Sequence, residues 1–211
     1  MIFDRARMMI IISSPSGVGK TTLVKLLAKR NKNFKISISY TTRIPRKNEI
    51  EGKDYYFINE EKFNDLIKTN SFYEYARVFN NLYGTLKDPV IKNLSQGKDV
   101  LFDIDWQGSE QIKKLKLKNK LILIFVLPPN IKTLKSRLSN RDMKDKLILK
   151  ERMSQFKNDV LHWKGYDYVV INNDLEKCYQ AIMLIIDCEK KRKKFLFDQN
   201  KIKEKISELI N

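Results

Sequence analysis

A glycine-rich loop between an apolar run and an amphipathic segment constrains this chain more than any other feature. The apolar run Met8–Ser13 predicts a strand, and the leucine spacing after the loop predicts a helix over Lys20–Lys29. Gly17 and Gly19 let backbone N–H groups turn inward around a phosphate, where a helix N-terminus adds positive partial charge. The pattern predicts a loop that binds a nucleoside triphosphate, made of Ser14, Pro15, Ser16, Gly17, Val18, Gly19, Lys20, Thr21 and Thr22.

Two side chains of this loop indicate phosphoryl chemistry. Lys20 is long enough to contact the β- and γ-phosphates of ATP, and the Thr21 hydroxyl is a ligand for Mg²⁺. Ser14 stands where the motif G-x-x-x-x-G-K-[ST] has its first glycine, and a positive φ there would carry a steric cost. The alternative interpretation is an ordinary glycine and serine turn before a helix.

Length and composition favour one compact domain. A chain of 211 residues with 42% hydrophobic residues can bury a sizeable core. No apolar run approaches the ~20 residues of a membrane span, and the N-terminus lacks the apolar stretch of a signal peptide. We therefore expect a cytoplasmic protein that does not enter membranes, with its oligomeric state open, a homo-oligomer included.

Histidine and cysteine are too scarce for several catalytic chemistries. His162 is the single histidine, so a histidine metal cluster is excluded. Cys178 and Cys188 are ten residues apart in a helical pattern, about 15 Å along one helix, which is too far for a disulfide. Any chemistry is expected to use arginine, lysine, carboxylates and Mg²⁺.

The formal net charge of +17 raises the alternative of nucleic-acid binding. The lysines are spread along the chain, and Lys190–Lys194 is the one dense cluster. A solvated basic surface explains this distribution, and we see no reader motif with interleaved aromatic residues. We therefore do not expect a nucleic-acid partner.

Strand and helix patterns alternate along most of the chain, which predicts an α/β fold with a parallel sheet flanked by helices. Residues 34–90 differ, because they are rich in Tyr, Thr and Phe and predict a mostly β insertion. Further strands are predicted over Asp99–Asp105, Leu121–Leu127 and Tyr166–Asn172, and further helices over Gln107–Leu115, Ile131–Leu138, Lys146–Leu161 and Leu175–Phe197.

The insertion carries a second set of motifs. The run Ser39-Tyr40-Thr41-Thr42-Arg43-Ile44-Pro45-Arg46 precedes Glu51-Gly52-Lys53-Asp54-Tyr55, Phe72-Tyr73-Glu74-Tyr75 and Leu82-Tyr83-Gly84-Thr85. Together with the phosphate-binding loop, these motifs resemble the guanylate kinases over nearly the whole chain. The family pattern R-x-P-R-x-G-E-x-x-G-x-D-Y is matched except at Asn48, which replaces a glycine and tolerates a left-handed turn.

The resemblance implies ATP as phosphoryl donor and GMP, with dGMP, as acceptor. It implies acceptor contacts from Ser39, Arg43, Arg46, Tyr55, Glu74, Tyr83, Thr85 and Asp105. Their chemistry agrees with this: arginine forks suit phosphate, a carboxylate such as Glu74 accepts from guanine N1 and N2, and Ser39 can donate to O6. Each residue alone would suit an ordinary surface or core position.

Asp103 and Asp105 alternate along a predicted strand, which places both carboxylates on one face. Asp103 is expected to hold Mg²⁺ together with Thr21, and Asp105 to contact the acceptor. The alternative for Asp105 is a cap of the following helix.

Three arginines complete the predicted catalytic set with Lys20. Arg137 and Arg141 are four residues apart on one helix face, and Arg152 follows. The resemblance implies a lid over about 137–157 whose arginines neutralise phosphate charge, although Asp142 stands where the family often has glycine. It implies that Asn172 contacts the adenine side, and it divides one domain into a core (8–33, 97–136 and 160–211), the GMP-binding insertion 34–90 and that lid.

These observations predict a P-loop kinase of the guanylate type in purine metabolism or salvage. Three alternatives stay open: a kinase for another small phosphate acceptor, a phosphopeptide-binding module that uses Arg43 and Arg46, and an RNA-binding protein.

Overall fold

The computed structural model describes residues 7–115, 117–141, 146–193, 195 and 198–210. A 3₁₀ helix, His162–Gly165, precedes the last strand. The strands and α-helices in chain order are β1 (Met8–Ser13), α1 (Lys20–Arg30), β2 (Phe34–Ser37), β3 (Tyr40–Thr41), β4 (Tyr56–Phe57), α2 (Glu60–Lys68), β5 (Phe72–Val78), β6 (Asn81–Leu86), α3 (Lys87–Ser95), β7 (Asp99–Asp103), α4 (Trp106–Lys114), β8 (Lys120–Leu127), α5 (Ile131–Arg141), α6 (Lys146–Leu161), β9 (Tyr168–Ile171), α7 (Leu175–Lys190) and α8 (Gln199–Ile210).

The larger sheet has five parallel strands in the order β2-β7-β1-β8-β9. Every residue of β1 is buried, and so are the last six residues of β8. Strands that are apolar on both faces are typical of parallel sheets covered by helices on both sides. The predicted α/β fold with a parallel sheet flanked by helices is confirmed.

The chain forms two compact units. The first contains the described part of Met1–Ile11 and Ala28–Ile122, and the second contains Ile12–Leu27 and the described part of Leu123–Asn211. The first unit therefore includes the predicted insertion, and the second includes the glycine-rich loop with α5 to α8. The predicted division into core, insertion and lid stays a prediction.

A small four-stranded sheet of order β4-β3-β6-β5 occupies the first unit. Strands β5 and β6 form an antiparallel hairpin in which Val78 pairs with Asn81. Its two turn residues, Phe79 and Asn80, both have positive φ, as a type I′ turn requires. A cluster of buried side chains, Phe63, Phe72 and Leu82, joins this sheet to α2.

Residues 34–90 contain more helix than the pattern predicted. Helix α2 begins where the Asn59 side chain accepts a hydrogen bond from the Lys62 backbone N–H, and α3 follows β6 directly. In addition, β2 lies in the larger sheet beside β7 and not in the small sheet.

Two further predicted elements end earlier than expected. The strand predicted over Asp99–Asp105 ends at Asp103, because Asp105 caps the following helix. The helix predicted over Leu175–Phe197 ends at Lys190, and Arg192 then has a φ of 53°. A separate helix, α8, follows.

Both cysteines lie on α7 and are free thiols, which confirms that they form no disulfide with each other. Within the described ranges, no helix is long and apolar enough to cross a membrane.

Candidate functional site

The glycine-rich loop has the backbone geometry that a phosphate cradle requires. Gly17 has a φ of 82° and Gly19 a φ of 101°. A Cβ on Gly17 would lie 2.6 Å from Leu138 of α5, and one on Gly19 would lie 2.7 Å from the Asn172 side chain. Only glycine fits both positions, since each combines a left-handed backbone with a close neighbour.

Ser14 carries no such strain. Among the described non-glycine residues, positive φ occurs at Asn70, Phe79, Asn80 and Arg192. Neither Ser14 nor Asn48 is in this group, so both can replace the glycines of their motifs without a left-handed backbone. In the second motif, Gly52 provides the positive φ, at 70°.

The first turn of α1 presents the polar end of the loop. Leu23 N–H bonds to the Gly19 carbonyl at 3.1 Å, which starts the helix at Lys20. The Thr21 and Thr22 side chains are exposed on this turn. Orphan N–H groups and the helix dipole at such a turn favour an anion.

Arg137 and Asn172 fix the loop through hydrogen bonds to its backbone. The Arg137 guanidinium donates to the Val18 carbonyl at 3.0 Å and to the Asn172 carbonyl at 3.3 Å. The buried Asn172 side chain donates from Nδ2 to the same Val18 carbonyl at 2.8 Å. Two donors on one carbonyl fix the peptide between the two loop glycines, a role that sequence reasoning missed.

Asn172 also has an acceptor atom that no residue in the described ranges satisfies. Its side-chain Oδ1 is buried and makes no hydrogen bond to any described residue. A buried acceptor without a donor is costly, so Oδ1 is suited to a donor brought by a ligand.

The structure describes Arg152, one of the other two arginines predicted for the lid, more fully than Arg141. Arg152, on α6, is buried, and its Nη1 lies 3.5 Å from the Ser16 hydroxyl of the loop. Arg141 is the last residue of α5, but its side chain and Asp142 lie outside the described residues. Arg137 and Arg152 therefore both meet the glycine-rich loop within the second unit.

Arg137 also affects a buried thiol. Burial raises the pKa of Cys178 to about 12, although the charge of the Arg137 guanidinium opposes this shift. A thiol with such a high pKa is protonated and unreactive at neutral pH.

In the first unit, a cluster of arginine and tyrosine side chains is suited to a phosphate. Arg43 Nε donates to the Tyr83 hydroxyl at 3.0 Å, and the Arg43 guanidinium lies 5.4 Å from the Tyr55 ring centre. The Tyr55 and Tyr83 rings meet edge to face at 5.8 Å. The structure thus brings together three of the residues predicted to bind the acceptor phosphate.

Glu49 links this cluster to Arg46, and the predicted site did not include it. Arg43 Nη2 lies 2.8 Å from both Glu49 carboxylate oxygens, and Arg46 donates from its backbone N–H at 2.8 Å and from Nη1 at 3.2 Å. Burial by itself would raise the pKa of Glu49, but the hydrogen bonds from Arg46 and Arg43 outweigh it and the pKa lies below 4.5. The signal was available, since Glu49 belongs to the matched motif.

Three residues predicted to contact the base have buried polar side chains: Ser39 just before β3, Glu74 on β5 and Thr85 on β6. Ser39, Glu74 and Thr85 are 7%, 4% and 0% exposed. Glu74 pairs across the hairpin with Thr85, and alternation along β6 places Tyr83 on the same face as Thr85. The Thr85 hydroxyl is buried without a hydrogen bond to any residue the structure describes.

Asp105 serves as a helix cap. Its carboxylate accepts from the Gly108 N–H at 3.0 Å and from Gln107 Nε2 at 3.2 Å. Asp103 ends β7 and is half-buried. The predicted placement of both carboxylates along one strand is thus wrong, because the chain turns into α4 at Asp105.

The Mg²⁺ hypothesis can be tested on the chemistry of the donor residues. The described residues contain no group of three His, Cys, Asp or Glu side chains that could hold a metal ion. A hydroxyl at Thr21 and a carboxylate at Asp103 are hard oxygen donors that suit Mg²⁺ when phosphate oxygens and water supply the other ligands. Each of the two donors thus suits the ion by its chemistry.

A glycine-rich loop between a buried parallel strand and a helix defines the class of a nucleotide-binding P-loop protein. The family model described as guanylate kinase matches residues 6–189. The chain is 47% identical to the guanylate kinase of Rickettsia prowazekii over 190 residues, which cover 90% of this chain and 95% of that protein. It is 42% identical to the guanylate kinase of Paramagnetospirillum magneticum over 187 residues, which cover 89% and 87%.

A solved structure agrees with these relatives. The crystal structure of guanylate kinase from Anaplasma phagocytophilum matches with a TM-score of 0.72 and 30% identity, covering 89% of this chain and 88% of that one. The chain belongs to the guanylate kinase family.

Proposed function

We infer that this chain is an enzyme that transfers the γ-phosphoryl group of ATP to GMP, giving ADP and GDP. The family match over residues 6–189 and relatives at 40–48% identity support this activity. One observation supports the acceptor site in particular: the buried Thr85 hydroxyl, which makes no hydrogen bond to any described residue, lies opposite the buried Glu74.

The acceptor site reads guanine through charge and hydrogen-bond direction. The Glu74 carboxylate accepts from N1–H and the 2-amino group of guanine, and the hydroxyls of Ser39 and Thr85 donate to its acceptor atoms. Adenine offers the opposite pattern on this edge, so buried polar groups would be left unpaired. We propose that Asp105 contacts the guanosine part of GMP as well.

The acceptor phosphate binds at Arg43, Arg46, Tyr55 and Tyr83. Arg43 and Arg46 provide guanidinium forks that match phosphate geometry. None of the proposed contacts depends on the 2′-hydroxyl of the ribose, so dGMP should be accepted as well.

The donor site binds the ATP phosphates along the loop from Ser14 to Thr22. Lys20 stays with the transferring phosphoryl group, and Arg137, Arg141 and Arg152 neutralise charge as it develops. The guanidinium of Arg137 has five N–H donors, so it can bind phosphate and also hold the Val18 carbonyl. Asn172 provides Oδ1 to the nucleoside side of ATP.

No general base is required, because the attacking oxygen belongs to a phosphate that is already anionic. Catalysis is therefore positioning and charge neutralisation. Thr21 and Asp103 hold Mg²⁺, which would supply additional neutralisation of the phosphate charge.

Further properties belong to this proposal. The insertion 34–90 binds GMP, and a lid over about 137–157 covers the ATP phosphates. Two free cysteines fit a reducing compartment, which supports a cytoplasmic location. The basic residues attract anionic nucleotides, and nucleic acid is not a partner. The oligomeric state is to be measured.

An acceptor screen tests the proposal. Release of ADP is followed in a coupled assay with ATP, Mg²⁺ and each of GMP, dGMP, AMP, CMP, UMP and dTMP. We expect turnover with GMP and dGMP alone, and Lys20→Ala should lower it by at least ~10²-fold while Lys29→Ala, on the exposed side of α1, leaves it unchanged.

Two of the alternatives have their own outcome in this screen. Equal turnover with AMP would indicate a kinase for another acceptor. No turnover with any acceptor would favour a binding module that uses Arg43 and Arg46 without catalysis.

A further inference from the structure

We propose that Gly108 and Gln111, three residues apart on α4, position the Glu74 carboxylate and so set the preference for guanine. The proposal rests on the proposed function, because it assumes that Glu74 reads the base. Neither residue contacts a substrate in this account. Both are positioning residues that act through β5.

Gly108 leaves the space that the Glu74 carboxylate occupies. An ideal Cβ at position 108 would lie 2.9 Å from Cδ and 3.3 Å from Cγ of Glu74, and closer still to Oε2. Glycine in a helix is intrinsically unfavourable compared with alanine, so this position needs a packing reason. The close approach of the carboxylate is that reason.

Helix α4 cannot easily retreat from this contact. The Gly108 N–H donates to the Asp105 carboxylate, which caps the helix, and Ser109 is buried beside it. The N-terminal turn also carries positive partial charge, which favours a carboxylate nearby. The helix backbone at Gly108 is therefore held in a fixed position beside the Glu74 carboxylate.

Gln111 fixes the backbone next to Glu74. Its side-chain Oε1 accepts from the Tyr75 N–H at 3.1 Å, and its Nε2 donates to the Tyr75 carbonyl at 2.7 Å. Strand β5 is an edge strand of the small sheet, and this amide completes its unpaired edge as a neighbouring strand would. Both polar groups of the residue after Glu74 are thus held in place.

Strand β5 is also irregular just before Glu74. Its pairing with β6 shifts register between Phe72 and Glu74, which marks a β-bulge. Bulges re-aim a side chain and interrupt the ladder locally. On the side of β6, a Cβ on Gly84 would lie 2.9 Å from the Phe72 ring and 3.0 Å from the Glu74 carbonyl. Glu74 is therefore confined by β6 and by α4 together.

The experiment compares GMP with inosine monophosphate, which keeps N1–H but lacks the 2-amino group. A displaced carboxylate loses the two-point contact with guanine, so Gly108→Ala and Gln111→Leu should each lower kcat/KM for GMP by roughly 10-fold or more. The loss for inosine monophosphate should be smaller, so the ratio of the two kcat/KM values should fall at least ~3-fold. KM for ATP should stay within about 2-fold of the wild-type value.

The matched control is Lys114→Ala, at an exposed position of the same helix. It should leave both kcat/KM values unchanged. Gln111 is half-exposed, so Gln111→Leu keeps the test decisive if Gly108→Ala does not fold.

Three results would overturn the inference. One is a raised Tm of Gly108→Ala together with an unchanged ratio of kcat/KM for GMP to kcat/KM for inosine monophosphate. That result would indicate that alanine fits at position 108 as it would at a helix position with free space around it. Another is an equal loss for GMP and inosine monophosphate, which would indicate a merely structural role. The third is an unchanged ratio in Gln111→Leu. The proposed function fails separately, if the wild-type chain does not phosphorylate GMP.

Discussion

At the residue scale, the Glu49 carboxylate is the partner that orders both arginines of the proposed phosphate site. It lies 2.8 Å from Arg43 Nη2 and 3.2 Å from Arg46 Nη1, with side chains of Arg43 and Glu49 only 13% and 14% exposed. Little water screens such a pair, so removing one partner leaves the other charge poorly solvated and costs more than breaking a surface ion pair.

Glu49→Gln should destabilise the protein by about 1–3 kcal/mol at neutral pH, because Arg43 loses a charged hydrogen-bond acceptor. The folded pKa of Glu49 lies below 4.5, so its contribution is complete above about pH 4.5 and is lost as pH falls through the folded value. Urea denaturation of both proteins between about pH 3 and pH 7 measures this difference.

Glu61→Gln is the control, because Glu61 is exposed on α2 and should behave as wild type throughout. A difference between Glu49→Gln and wild type that stayed constant down to about pH 3 would show that the carboxylate charge is not what stabilises the cluster.

Sequence motifs identified residues, but not the bonds between them. The motif around Arg43 contained Glu49, so the sequence pattern could have predicted that Glu49 belongs with Arg43 and Arg46. The bonds from Arg137 and Asn172 to the Val18 carbonyl join positions 119 and 154 residues apart in the chain. Such contacts depend on the fold, so no local pattern could predict them.

At the scale of elements, the strand, loop and helix around Gly19 form one unit whose shape depends on glycine. Gly19 combines a φ of 101° with a neighbour 2.7 Å from a hypothetical Cβ. Backbone strain and a clash with Asn172 would therefore both distort the loop that holds phosphate.

Gly19→Ala should raise KM for ATP by ~10-fold or more and lower Tm. Gly97→Ala is the matched control, because Gly97 has a φ of 82° in the turn after α3 and the nearest atoms belong to the flexible Arg7 side chain. The control should lower Tm through the same backbone strain but leave KM for ATP unchanged. An equal KM for ATP in both variants would contradict the assignment of this loop.

Most elements outside residues 34–90 were predictable, and the helices inside that segment were not. The pattern located β1, α6 and β8 to within a residue or two, and β1 and β8 are continuous apolar runs. It missed α2, which is only nine residues long, and it merged α7 with α8 across a short break. Short helices depend more on caps and tertiary packing than on their own pattern.

At the scale of the whole molecule, the formal net charge of +17 affects how the protein meets charged substrates and partners. A strongly basic surface attracts anionic substrates over distances that salt shortens. The same charge made RNA binding an alternative, so the two effects need to be separated by measurement.

We expect kcat/KM for GMP to fall by roughly 3- to 10-fold between ~50 and ~300 mM salt, with kcat changed much less. The chain should not be retained on immobilised RNA at physiological salt. Retention with a steep salt dependence would support the RNA-binding alternative.

The fold class was predictable at this scale because alternating strands and helices restrict topology strongly. The division into two compact units was not, because it runs through β1 and follows tertiary contacts.

The most direct test of the central claim is the kinetics of Glu74→Gln with GMP and AMP. The substitution keeps size but turns one acceptor oxygen into a donor that faces the donors of guanine. We predict a loss of about 30- to 1000-fold in kcat/KM for GMP, equivalent to roughly 2–4 kcal/mol, and a smaller loss or a gain for AMP. Glu61→Gln should change neither value. An equal loss with GMP and AMP would contradict the account, because Glu74 would then support the fold without reading the base.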